Sequence, residues 1–167
     1  MNLSTRFWKI ISVILGIIIV ALGLFSHLDS DWRIANQRED PCQQSYLFVY
    51  NRSSDWCPHI SLEWYFVGIN IICLITSLFS VCFSTQIEKP SHVVKRLDIL
   101  YHWVAVLLLL LAGILYIASA LQVLSLRLHA GRREMKMRTT EKVVAGGLTI
   151  VQAVVYGTIA TFLGRRD

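Results

Sequence analysis

Apolar residues gather into four long runs along this chain, and polar stretches separate them. The runs cover Trp8–His27, Trp64–Ser84, Leu97–Leu124 and Val143–Leu163. Each reaches the ~20 residues that an α-helix needs to cross a hydrocarbon core of about 30 Å. Inside lipid every backbone N–H and C=O must be satisfied within the protein, which makes such runs helical. The pattern predicts an all-α fold, a four-helix transmembrane bundle with short loops, as a single domain over residues 1–167. No loop or tail is long enough to bury a core of its own.

Composition agrees with this picture. Hydrophobic residues make up 54% of the chain and charged residues only 16%, where a soluble domain carries about 25% charge. The mean hydropathy is +0.53. The net charge of +5 would suit nucleic acid. Here, however, the basic residues flank membrane runs, where they meet lipid headgroups, so no nucleic-acid partner is expected. The expected partners are membrane lipids, further copies of the chain as a homo-oligomer, or other tetraspan membrane proteins. Arg6 and Lys9 precede the continuous apolar stretch of the first run in the manner of a signal peptide. The stretch Ile10–Phe25 is longer than a signal h-region and no small-x-small site follows it, so the run is expected to stay as a helix.

Four spans put both termini on one side. The longest connection, about residues 28–63, carries Cys42 and Cys57. Two cysteines in one hydrophilic loop predict a disulfide and an oxidising compartment. Asn51-Arg52-Ser53 in the same loop is an N-glycosylation pattern. This loop is therefore expected outside the cytosol, with the termini inside, in a multi-pass protein of the plasma membrane or secretory-pathway vesicles. The last connection, Ser125–Lys142, opposes that orientation. It is rich in Lys and Arg, which the positive-inside rule places in the cytosol. Its residues are also read as continuing the third and fourth helices beyond the lipid. Cys82, near the expected cytosolic end of the second run, is a candidate for palmitoylation.

Helices associate in a bilayer by close packing over small residues. Thr149, Ala153, Gly157 and Thr161 recur every four residues in the fourth run, and Ala105, Ala112 and Ser119 every seven in the third. These seven are the expected packing positions. Among the polar residues within the runs, Asn70, Asp98, Tyr101, His102, Gln152 and Tyr156 are the most telling. An ion or proton path would use such groups. One carboxylate and one histidine are too few for a relay or a metal site, so Asp98, Tyr101 and His102 are read as structural. The chain has no Cys-x-x-Cys pair, Gly-rich phosphate loop, His-Glu-x-x-His or Gly-x-Ser-x-Gly. No catalytic, cofactor-binding or metal-binding residue is assigned, and no enzymatic activity is expected.

Leu97-Asp98-Ile-Leu-Tyr101-His102 opens the third run, and Glu141-Lys-Val-Val-Ala145 opens the fourth. Leu-Asp-x-x-Tyr-His and Glu-x-x-x-Ala at these places resemble the MARVEL-domain proteolipids of the myelin-and-lymphocyte type. The resemblance covers roughly residues 95–167, and the four-span plan extends it to the rest. The first loop departs from it, being longer and carrying a cysteine pair that the shortest members lack there. The resemblance implies a non-enzymatic protein that organises membrane domains, in vesicle trafficking and apical sorting or at cell junctions. A second reading is a claudin-like barrier protein or channel auxiliary subunit, with Tyr46–Tyr50 supplying one strand of a first-loop sheet. A small membrane enzyme or transporter is the third.

The disulfide would close a loop of about 15 residues, worth about 3 kcal/mol. Of the four cysteines, two are expected to react with a thiol reagent in denaturant without reductant, and all after reduction. Equal labelling under both conditions would remove the bridge.

Overall fold

The computed structural model describes residues 3–32, 47–48, 58–86, 92–126, 129–130, 133–134 and 136–165. Four helices dominate: α1 (Leu3–Leu28), α2 (Ser61–Gln86), α3 (His92–Leu126) and α4 (Thr139–Gly164). Each contains one apolar run, and all four are long and apolar enough to cross a membrane. The helices outrun the apolar runs because the helical ladder keeps satisfying backbone groups at the lipid boundary. With 35 residues, α3 is ~52 Å long and overhangs the core.

The bundle is a ring. α1 packs on α2 and α4, and α3 packs on α4 and α2. That leaves α1 facing α3, and α2 facing α4, across the two diagonals. The α3·α4 contact is the most extensive, and glycine is the reason. A Cβ on Gly146 would lie 2.6 Å from the Ile117 side chain and 3.0 Å from the Gly113 carbonyl oxygen. A Cβ on Gly113 would lie 2.9 Å from the Gly146 carbonyl oxygen. Backbone meets backbone here, so only hydrogen fits. On the α1·α2 side, Gly23 receives the edge of the Phe66 ring. Phe66 in turn stacks on Tyr116 of α3, with centroids 3.8 Å apart and planes at 9°. Ile19, Val67, Ala112 and Ala145 complete this core. The outer face is apolar. Leu107 and Leu111 are exposed while Leu109 between them is fully buried, so helical period divides the leucine run between lipid and core.

At the loop end, three two-residue strands form an antiparallel sheet in the order β1 (Leu47–Phe48), β2 (His129–Ala130), β3 (Arg133–Glu134). β1 comes from the apolar, β-prone stretch Tyr46–Tyr50, and β2 and β3 come from the last connection. The latter is therefore not a continuation of two helices, as its sequence suggested. α3 stops at Leu126, α4 starts at Thr139, and the residues between contribute strands that join the first loop.

Gly146→Val is expected to lower bundle stability by about 1–3 kcal/mol through overpacking. Gly147→Ala, whose Cβ meets nothing within 4 Å, is expected to be neutral or mildly stabilising. Thermal unfolding in detergent followed by circular dichroism distinguishes the pair; equal behaviour would discount the glycine contact.

Candidate functional site

Among the described residues, Lys9, Glu63 and Lys142 are buried charged side chains and Asp98 is partly buried; two of the four lie at each end. At the loop end, Lys142 of α4 reaches across a diagonal to Glu63 of α2. Its ammonium donates to Glu63 Oε1 and, at 3.2 Å, to Ser30 Oγ. The other carboxylate oxygen lies 2.7 Å from His27 Nδ1 at the end of α1. The Lys142 and Glu63 side chains are 3% and 2% exposed. The edge of Trp64 packs on His27 with centroids 4.6 Å apart. Glu63 lies in the first turn of α2, where its charge suits the helix dipole, and His27 lies in the last turn of α1. Lys142 lies in the first turn of α4, against that dipole, and the carboxylate offsets the penalty.

A more exposed rim surrounds this cluster. Asp29 accepts hydrogen bonds from Arg138 Nε at 2.8 Å, from Arg138 Nη2 and, at 3.2 Å, from Lys136 Nζ. The Arg138 bond, and after it the Lys136 bond, hold the Asp29 carboxyl below its ordinary pKa. Arg138 also donates to Glu141 at 2.7 Å and lies 4.9 Å over the Phe25 ring. Its backbone is left-handed, with φ 52°, a conformation that costs a non-glycine residue about 1–3 kcal/mol and persists when the surroundings impose it. The Lys136 N–H donates to Asp31 Oδ2 at 2.7 Å, and the Asp31 N–H to the Lys136 carbonyl at 3.0 Å.

At the terminal end the other diagonal is bridged. Lys9 of α1 donates to Asp98 Oδ2 of α3 at 2.6 Å and to Ser80 Oγ of α2 at 2.7 Å. Ser80 donates to Asp98 Oδ1 at 2.9 Å. His102 Nδ1 lies 2.7 Å from the Asp98 carbonyl oxygen and 3.3 Å from its Oδ1. One turn deeper, the Tyr101 and Tyr156 hydroxyls stand 3.2 Å apart, each about 3 Å from the Cys73 carbonyl oxygen and each beside Ser77. Asp98, Tyr101 and His102 thus all reach neighbouring groups in the bundle.

Near mid-bundle, Asn70 donates to its own helix at Phe66 O, 2.8 Å away, and Gln152 reaches Ser12 O of α1 at 3.5 Å. The carbonyl oxygens of both side chains are buried without a partner among the described residues. Among the described residues no three His, Cys, Asp or Glu gather as a metal site would require.

The expected packing positions divide. Ala105, Ala112, Ser119, Thr149 and Ala153 are buried in the bundle. Gly157 and Thr161 are not: Thr161 is exposed, and a Cβ on Gly157 would meet only Val106, at 3.8 Å. A four-residue step advances ~40° around a helix of 3.6 residues per turn, so the row that starts in the interface at Thr149 has turned out of it by Thr161. It lines an open groove of about 440 Å³ between α3 and α4, with Trp103, Val106 and Leu110 on one wall and Arg165 at one end. Cys82 is exposed on α2. Cys42, Asn51 and Cys57 lie outside the described residues. The sequence reading missed Lys9, Glu63 and Lys142 because each stands at the edge of an apolar run and looks like an ordinary flanking charge.

Lys142→Met leaves Glu63 buried without its lysine and is expected to cost about 3–5 kcal/mol. The double variant Lys142→Met/Glu63→Leu is expected to recover most of that loss. Additive losses in a double-mutant cycle would show that the pair is not coupled. No family model matches this chain, and no curated protein and no solved structure matches it.

Proposed function

We propose that this chain is a non-enzymatic, MARVEL-like four-span protein that organises membrane domains, in vesicle trafficking and apical sorting or at cell junctions. The observation that carries the reading is the pairing of the bundle's buried and part-buried charges across both diagonals, Lys142 with Glu63 and Lys9 with Asp98. A transporter or membrane enzyme needs ionisable groups presented to a substrate. Here they engage each other and brace the helices, beneath an outer face left apolar for lipid or like bundles. The motif residues fit the same role: Asp98 and Tyr101 tie α3 to other helices, and Ala145 packs in the core behind Glu141.

Charge distribution supports cytosolic termini. The end bearing the termini and middle loop holds seven Lys and Arg against three acids, and the other end nine against eight. Several basic groups of the last loop are matched locally, as Arg138 and Lys136 are by Asp29. The more positive end suits the anionic cytosolic leaflet. Second copies or other four-span proteins are the proposed partners, in the plasma membrane or secretory-pathway vesicles. The sheet that joins first and last loops favours one further reading, a claudin-like barrier protein with an adhesive loop surface.

The test is localisation of the tagged protein in polarised epithelial cells, with proximity labelling. Enrichment in vesicles or the apical membrane beside sorting machinery is the result expected of the trafficking role. Enrichment at cell contacts beside junction proteins points to a junction role. Uniform distribution with no enriched neighbours overturns the proposal.

A further inference from the structure

The groove between α3 and α4 has the dimensions and chemistry of a site for one lipid. The two helices touch at Gly113 and Gly146, and every groove residue lies on the terminal side of that contact, from Leu110 and Ala153 outward to Arg165. From Ala153 to Arg165 the groove runs ~18 Å along α4, against ~15 Å for half of a hydrocarbon core. It therefore spans a single leaflet. Its volume of about 440 Å³ falls within the ~300–1,000 Å³ of small-molecule sites. Its floor asks for no polar partner: the Thr158 and Thr161 hydroxyls donate to their own helix, at Val154 O (2.9 Å) and Gly157 O (2.7 Å).

We propose that this groove holds one acyl chain of an anionic phospholipid from the terminal-side leaflet, with Arg165 binding its phosphate. Charge complementarity selects this occupant. Arg165 is exposed and forms no ion pair among the described residues, and guanidinium binds phosphate by paired hydrogen bonds. A second copy fits less well. Its helix would cross both leaflets while the groove crosses one, and a symmetric pairing over α4 would bring two Arg165 side chains together. The inference rests on the membrane-spanning bundle and not on the organising role.

Native mass spectrometry of the full chain in mild detergent tests it, with phosphatidylglycerol and phosphatidylcholine of identical acyl chains supplied equally. The wild type is expected to retain one phosphatidylglycerol in preference to phosphatidylcholine. Arg165→Gln is expected to lower that preference about fivefold, one cation's contribution at a membrane surface. Arg96→Gln, at the same end but off the groove, is expected to preserve it. Gly157→Leu, which fills the groove, is expected to lose both lipids at unchanged helicity, and Thr161→Leu serves the same purpose should the glycine variant not fold. Equal retention of the two lipids by the wild type overturns the site. Equal losses in Arg96→Gln and Arg165→Gln overturn it in favour of diffuse charge. Unchanged retention in a groove-filling variant, or its conversion of a dimer to monomer without lipid loss, overturns it as well.

Discussion

Removing a charge from water costs several kcal/mol even after a protein relaxes around it, and only a close, well-bonded partner offsets that cost. Among the described residues this bundle buries Lys9, Glu63 and Lys142 and partly buries Asp98, and their pairing ties helices across the ring. The apolar contacts run around the ring, between sequence neighbours and between α1 and α4. The ion pairs run across it, Lys9 to Asp98 between α1 and α3 at one end, and Lys142 to Glu63 between α2 and α4 at the other. A ring of four rods held only at its sides can shear. Braced on opposite diagonals at its two ends, it resists. Ser26 to Tyr116 and Ser77 to Tyr156 add uncharged ties along the same diagonals.

Small residues set where the rods touch. Lipid gives helices no hydrophobic reason to associate, so contact area decides. Gly113 against Gly146 brings two backbones together in the loop half of α3·α4. Beyond it the side chains facing the interface are no longer enough to close the gap, and the groove opens. Close contact and open groove are thus two halves of one crossing.

The loop end is built differently. There the chain leaves lipid, and the exposed Asp29 carboxylate just past α1 meets the arginine and lysine that lead into α4. Individually such surface pairs contribute little. Together with the β1–β2–β3 pairing they fasten the first connection to the last, and Arg138 holds its left-handed backbone among them. Lys136 and Arg138, which read as part of a basic segment in isolation, meet the Asp29 carboxylate once the chain is folded.

The sequence by itself determined the four spans, because a helix crossing lipid must be long and continuously apolar, and both properties are local. It also marked the buried faces. Thr5, Lys9, Ser12, Gly16, Ile19 and Gly23 form one helical stripe; Glu63, Phe66, Val67, Asn70, Cys73 and Ser77 form another; Lys142, Ala145, Gly146, Thr149 and Gln152 a third, and all of these are buried. Glu63 and Lys142 stand at the ends of their stripes and Lys9 one turn inside its own, a signal legible without coordinates, although their positions at the edges of apolar runs suggested headgroup contacts. Tertiary structure alone decided the partners. Glu63 and Lys142 are 79 positions apart and Lys9 and Asp98 are 89, and no local rule joins residues at that distance. It also decided which members of a four-residue repeat pack and which face lipid, because the repeat drifts around the helix while the neighbouring helix crosses it at one place.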